Sequence, residues 1–282
     1  MRLATILDGE VPVAALVRGA QALPLLRDGG DPWSVRELAA AGPEATAQVL
    51  GWADGQPLAS WRPLASVTLG PAVPDPGAIY TVGHNYRAPG EVPGAAPDRP
   101  LIYGKAASSV GAHGGRLAWD RELTDNVDAE CELGVVIGRA ATDVDAAEAL
   151  EHVFGYTIID DVSSRDEWLD GDQWLLGKSR PGFCPVGPWV VTRDELDPRG
   201  LRLGCTINGE PIQDDITSSM RFGIRHIVAF LSRHATLRPG DLIATGTPAR
   251  LATPPGPGRR LRPGDVATAW IEGIGELTTT IA

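Results

Sequence analysis

Three things are scarce in this chain of 282 residues, and each scarcity excludes a class of function. Cationic residues are outnumbered: 25 Lys and Arg stand against 36 Asp and Glu, a formal net charge of −11. A chain this acidic is a poor partner for nucleic-acid phosphates. It would also repel an anionic substrate unless local cations or a metal reversed the field at the site. Cysteines number three, Cys131, Cys184 and Cys205. The count is odd and no Cys-x-x-Cys occurs, so neither a disulfide framework nor a zinc site is indicated. Long apolar runs are missing too. No stretch approaches the roughly 20 residues of a membrane span, and Asp8 and Glu10 fall where a signal peptide needs an apolar run. The expectation is a cytoplasmic protein that binds no nucleic acid and no membrane. What remains is ordinary: 43% hydrophobic and 22% charged residues, the composition of a globular protein able to bury a core.

The pattern along the chain predicts an α+β fold, mostly β, in two units. Residues 1–72 read as a small leading α/β unit, with strands at 3–7 and 11–16 and two helices. The first helix would start at Asp31-Pro32-Trp33, an N-cap followed by proline at the first helical position. The second would run from about 43 to 52. Three prolines and a glycine make 71–77 a linker. From residue 78 onward, in the 73–282 unit, short apolar or alternating runs predict strands at 78–82, 101–104, 133–137, 156–159, 189–192, 201–207, 241–245 and 266–271. Helices are expected at 145–154, opened by the pair Asp145 and Glu148, and at about 218–234. Leu-Arg-Pro-Gly-Asp occurs at 237–241 and again at 261–265. Pro-Gly at the central positions predicts a type II turn in each.

Glu130-Cys131-Glu132 opens an otherwise apolar strand, and Asp161 follows inside Ile158-Ile159-Asp160-Asp161-Val162. Carboxylates at i and i+2 share one strand face. With Asp161 they would form an all-oxygen site suited to a hard cation such as Mg²⁺ or Mn²⁺. The competing reading is the solvated edge of an amphipathic strand, with Asp161 as a turn residue beside Ser163 and Ser164. Convergence would matter physically. Three carboxylates without a cation push up at least one pKa. Gly83-His84-Asn85-Tyr86-Arg87 follows a strand, where Arg87 could clamp a carboxylate or simply be solvated. Lys105, Lys178 and Arg165 could build an anion site or be solvated surface cations. Thr245-Gly246-Thr247-Pro248 could grip a substrate carboxylate or be a β-turn.

Together these segments resemble the fumarylacetoacetate hydrolase (fumarylacetoacetase) family. The resembling pieces lie in order: 82–87, 128–138, 154–166, Lys178, 183–190, Asn208-Gly209-Glu210 with Gln213, and the turn at 237–241 with 245–248. The resemblance implies a mixed sheet rolled into a barrel-like shape, a homodimer, and Mg²⁺ or Mn²⁺ held by Glu130, Glu132 and Asp161. It implies a small anionic substrate, a 2-oxo acid, 1,3-diketo acid or enol, that is cleaved, decarboxylated or isomerised through a metal-stabilised enolate. Lys178 matches the family's active-site lysine and Thr247 a substrate-carboxylate contact. The candidate catalytic residues are therefore Lys178, Arg87 and Glu91. The candidate substrate-binding residues are Tyr86, Arg165, Gln173, Gly246 and Thr247.

One departure bears on the reaction. Hydrolases of the family carry a histidine three residues after the tyrosine of the asparagine–tyrosine motif, and a glutamate three beyond it. Here Pro89 and Val92 take those positions, with Glu91 one residue early. Proline accepts no proton, and loss of a general base costs about 10²–10⁴-fold. The expectation is therefore an isomerase or decarboxylase. A C–C hydrolase and a non-catalytic family member are the alternatives, and His84, His113 and Glu91 are candidate replacement bases.

Overall fold

The computed structural model describes residues 1–27, 29–87, 90–91, 97–166, 168–169, 172–251 and 260–282. Strands dominate these residues, accompanied by three α-helices, Val35–Asp54, Trp174–Lys178 and Ile224–Ser232. The larger sheet runs in the order Arg62–Pro63, Gln21–Pro24, Val11–Arg18, Arg2–Asp8, Cys184–Thr192, Val153–Asp160, Cys131–Ile137, Leu242–Ala244, Ile79–Gly83, Leu101–Lys105. Neighbours on this path are antiparallel, except for the parallel pair Leu242–Ala244 and Ile79–Gly83. The first 24 residues are hydrogen-bonded into this sheet through Arg2 opposite Val191 and Leu3 opposite Val190.

The path is open, which corrects the expectation of a sheet rolled into a barrel. Its two end strands pair with different neighbours and not with each other. One end is a two-residue strand carrying Pro63, which has no backbone donor to extend a ladder. Over the other end, Leu101–Lys105, the helix Trp174–Lys178 packs.

A second sheet, in the order Glu210–Ile216, Arg202–Ile207, Val266–Ile271, Gly275–Ile281, Gly115–Leu117, faces the first. Leu203, Cys205, Ile207, Ala269 and Leu277 from it share one core with Leu133, Val135 and Ile137. Val136, on the opposite face of the same strand, joins a second core with Leu3, Leu16 and the helix residues Val35 and Leu38. Cys131–Ile137 is thus buried on both faces. That explains its continuous apolar run and rules out a solvated edge for this strand.

Three helix expectations shift. Val35–Asp54 holds two helical segments, as expected, broken at Gly42, whose φ of 81° and ψ of −175° are not helical; the second segment opens at Pro43, and the first is capped by Ser34 rather than by Asp31. Ser34 and Glu37 form a reciprocal capping box there, which satisfies two backbone donors at once. The helix expected at 145–154 shrinks to a 3-10 turn, Ala149–His152, because the strand begins at Val153 and pairs with Ile137. The helix expected from 218 begins at Ile224, because Arg221 and Phe222 donate their backbone N–H groups to Asn85 instead. Both Pro-Gly turns form as expected: Gly240 and Gly264 have φ of 84° and 87°. Asp241 and Asp265 close them by donating N–H to Arg238 and Arg262 at 2.9 and 3.0 Å. Among the described residues, no helix is long and apolar enough to cross a membrane.

Candidate metal centre

Strand register brings the three acids together. Cys131 lies opposite Asp160 and Glu132 opposite Ile159. One step beyond the ladder, Asp161 donates its N–H to the Glu130 carbonyl at 2.9 Å. Asp160 turns back to accept the Glu130 N–H at 2.7 Å. Carboxylate oxygens of Glu130, Glu132 and Asp161 lie within 4.8 Å of one another, and all three side chains are buried. Burial pushes the Glu132 pKa well above the ordinary carboxylate value, and the negative charges of Asp161 and Glu130 push it further. This trio fits a hard divalent cation. It offers only oxygen donors, and the unrelieved repulsion at Glu132 is what a bound cation would remove.

Basic groups answer the remaining charge. Lys178 Nζ donates to Asp161 Oδ2 at 2.6 Å, to Glu130 Oε2 at 3.0 Å and to Ser163 Oγ at 2.6 Å. Lys105 Nζ donates to the other oxygen of Asp161 at 2.5 Å and to the Val162 carbonyl at 3.0 Å. Burial opposes ionisation of Asp161, but the two lysines outweigh it and hold the carboxyl below its usual range. Burial likewise opposes the charge on Lys178, and Asp161 and Glu130 outweigh it, so its pKa is raised. Lys178 is therefore a fixed cation in this arrangement. Arg165 pairs with Glu130 Oε1.

Loop backbone completes the wall. Gly246 donates its N–H to Glu132 Oε2 at 2.7 Å. It does so at φ 101°, where a Cβ would meet Asn85 Cβ at 2.6 Å and the Val82 carbonyl at 3.0 Å. Asn85 in turn donates to the carbonyls of Thr245 and Phe222 at 2.6 and 3.0 Å. Replacing Gly246 by alanine is expected to lower stability by about 2 kcal/mol. By moving the N–H off Glu132 it should weaken metal affinity about 10–100-fold. Thermal melts and a Mn²⁺ titration of Gly246→Ala measure both effects.

A cavity of about 640 Å³ opens beside the acids and is lined in part by Glu130, Glu132, Tyr86, Tyr103, Trp174 and Thr247. Among the described residues, the Tyr86 hydroxyl and Trp174 Nε1 are buried there without a hydrogen-bond partner. Burial raises the Tyr86 pKa, so its hydroxyl is a donor. Thr247 Oγ1 accepts from Gln213 at 2.7 Å and donates to the Cys131 carbonyl at 2.9 Å.

The remaining candidates lie elsewhere. The Arg87 side chain is exposed and outside the cavity lining, and its N–H donates to the Ser219 carbonyl at 3.2 Å. Glu91 is engaged by both terminal nitrogens of Arg221. Gln173 is exposed at the N-cap of the helix Trp174–Lys178 and does not line the cavity. Pro89 and Val92 lie outside the described residues. Tyr103, Ser163, Trp174 and Arg221 escaped sequence reasoning. Only Ser163, two positions after Asp161, carried a local signal, and it read as turn chemistry.

The family model described as fumarylacetoacetate (FAA) hydrolase C-terminal matches residues 78–282. Three solved structures resemble the whole chain. A fumarylacetoacetate hydrolase from Exiguobacterium antarcticum is 31% identical, with a TM-score of 0.86, covering 100% of this chain and 99% of that one. A 2-hydroxyhepta-2,4-diene-1,7-dioate isomerase from Mycobacterium marinum is 32% identical, with a TM-score of 0.78 and coverage of 100% and 98%. A maleylpyruvate hydrolase from Sphingobium sp. SYK-6, in complex with manganese (II) ion and pyruvate, is 26% identical, with a TM-score of 0.83 and coverage of 100% and 99%. The ordered motifs, the buried acidic trio and the match over residues 78–282 agree, and the chain belongs to the fumarylacetoacetate hydrolase family.

Proposed function

We propose that this protein is a divalent-metal-dependent enzyme acting on a small 2-oxo acid, or on a 1,3-dicarbonyl or enol acid, with keto–enol isomerisation or decarboxylation as its favoured chemistry. The observation that carries this reading is the convergence of Glu130, Glu132 and Asp161 around Lys178 beside a cavity. The manganese and pyruvate named for the Sphingobium relative and the isomerase activity named for the Mycobacterium relative support it. Mg²⁺ or Mn²⁺ held by the three carboxylates would act as a Lewis acid, lowering the cost of negative charge on a substrate carbonyl oxygen.

The chain's own groups divide the remaining work. Lys178, kept charged by its acids, adds a fixed positive charge beside the reacting oxygen. Tyr86 and Trp174 present donors to substrate oxygens. A proton must also leave or reach carbon. Of the three candidate bases, His84 lines the cavity, Glu91 is tied to Arg221, and His113 accepts from the Thr278 N–H at 3.3 Å, away from that lining. His84 is therefore assigned the proton transfer, for which an imidazole nitrogen serves as donor or acceptor.

The test is turnover, with Mg²⁺ or Mn²⁺, of a panel containing oxaloacetate, acylpyruvates and hydroxymuconate-type enols. Isomerisation or decarboxylation should appear, and His84→Gln should lower kcat about 10²–10⁴-fold. Release of two fragments from an acylpyruvate would instead establish C–C hydrolysis, the second reading, which the two hydrolase relatives favour. A panel without turnover, joined to absent metal binding, would favour a non-catalytic role. We place the protein in the cytoplasm as a homodimer. Exposed Leu101, Trp168, Leu175 and Leu176 support the dimer, on and around the helix that packs against Leu101–Lys105. Light scattering at micromolar concentration checks it.

A further inference from the structure

His84 stands at φ 53°, in the left-handed region that residues other than glycine seldom adopt. The turn it makes at the end of Ile79–Gly83 breaks the alternation of the strand, and Val82, Gly83 and His84 all line the cavity. The imidazole meets the Trp174 ring edge-on, with centroids 6.3 Å apart and 66° between the planes. Such a backbone conformation persists only where the surrounding structure over-determines it.

The segment 219–222 supplies that surrounding structure. Arg87 donates its N–H to the Ser219 carbonyl at 3.2 Å, Tyr86 forms an antiparallel bridge with Met220, and the Arg221 N–H donates to the Asn85 carbonyl at 2.6 Å. The Asn85 side chain accepts from the Phe222 N–H at 2.9 Å and donates to the Phe222 carbonyl at 3.0 Å. These bonds fix residues 85–87. The carbonyl of His84 itself is held by a side chain, with Arg221 Nε donating to it at 3.0 Å. The two terminal nitrogens of the same guanidinium each take one oxygen of Glu91. One planar fork thus ties His84 to Glu91, and all three of its nitrogens are engaged. The Arg221 and Glu91 side chains are only 11% and 17% exposed, so the pair holds its geometry better than a solvated one would.

We propose that Glu91 and Arg221 are positioning residues for His84. Glu91 orients the guanidinium, the guanidinium holds the His84 carbonyl, and the left-handed turn fixed in this way aims the imidazole into the cavity. This rests on the proposed assignment of proton transfer to His84. The acid of the 85–92 segment then serves the base through an arginine.

Oxaloacetate is the probe, with Mg²⁺-loaded protein, and its enol–keto conversion is followed by ultraviolet absorbance. One proton is added at C3 as the enol oxygen loses its own, so no other reactant is consumed. Glu91→Gln and Arg221→Gln should each lower kcat about 10–100-fold and leave KM within about two-fold, because a misplaced base slows the proton step without loosening the substrate. In the His84→Gln background neither should cost more than about a further two-fold, since groups that act as a unit are not additive. Arg221→Lys keeps the charge but offers one nitrogen where three are used, and should not restore kcat. A Mn²⁺ titration of each variant counts folded sites, so that kcat is taken per metal-binding site and unfolding is not read as misplacement.

Arg221 lines the cavity, and contact with substrate is its rival role. A raised KM with unchanged kcat would assign it that role. Equal losses with and without His84 would make the pair purely structural, and full activity of Arg221→Lys would reduce Arg221 to a charge. Each of these overturns the proposal, and a large loss in His84→Gln alone leaves the proton-transfer assignment standing. Wild-type kcat in His84→Gln, or a wild type that leaves oxaloacetate unchanged, overturns the assignment and the proposal together.

Discussion

Replacing Glu132 by alanine is expected to abolish metal binding and to reduce kcat/KM by about 10³-fold, the scale of a lost Lewis acid. The same side chain should behave oppositely in stability. In the metal-free protein Glu132 is buried beside two other acids, and its pKa is raised first by burial and then by their charges. A raised carboxyl pKa means that the folded state holds its proton more tightly than the unfolded chain does. The stabilising contribution is therefore present below the unfolded value, about 4.3, and is lost as pH rises through the folded one. Metal-free Glu132→Gln, which cannot ionise, should match wild type in acid and melt higher than wild type toward neutral pH. Adding Mn²⁺ should reverse the order, since only the wild type gains binding energy. Melting curves at two pH values, with and without Mn²⁺, read all of this. A Glu132→Ala protein that retains wild-type activity would remove the acidic trio from the mechanism. Binding should also release a proton, because the cation needs the ionised carboxylate. Calorimetry in buffers of different ionisation enthalpy measures that release.

Lys178→Met is the second large effect, and here activity and stability should fall together. Lys178 Nζ touches Asp161, Glu130 and Ser163 within 3.0 Å. Its removal leaves carboxylates buried with less compensation, a change of about 3–5 kcal/mol for a broken buried pair. Lys105 remains on Asp161 and Arg165 on Glu130, so the lower end of that range is expected. Loss of a preorganised cation at the reacting oxygen should lower kcat about 10²–10³-fold. Mn²⁺ should recover part of the melting temperature and little of kcat, because a cation among the acids restores the charge balance without restoring the ammonium at the substrate. Equal recovery of both would mean that Lys178 serves only as a counter-ion.

Lys105 has the same bonding to Asp161 but a different place. Its side chain is fully buried and bonds to Asp161 and the Val162 carbonyl, whereas Lys178 also reaches Glu130, a residue of the cavity wall. Lys105 positions the Asp161 carboxylate. Local spacing carries no such division, since each lysine simply follows a glycine; the family resemblance had singled out Lys178.

The sequence by itself determined the β-rich class, most strands after residue 73, and the ordered motifs that mark the family. These depend on local rules. Period-two patterning, Pro-Gly turns and i, i+2 spacing act within a few residues and survive in any correct fold. The pairing of Glu130 with Glu132 on one face belongs here. Only the tertiary structure decided that their strand is central, buried on both faces and aligned so that Asp161 falls opposite Glu130. Register is a long-range choice, made by two apolar cores at once, and it turned an ambiguous acidic pattern into a convergent site. The same long-range packing placed His84 at the cavity and Arg87 outside it, although the two lie three positions apart. It also gathered Arg165, Arg250 and Arg260, scattered over 95 positions of an acidic chain, around Asp128. Charge counted along a sequence is an average over the whole chain, while a ligand meets only the groups that folding brings to one wall.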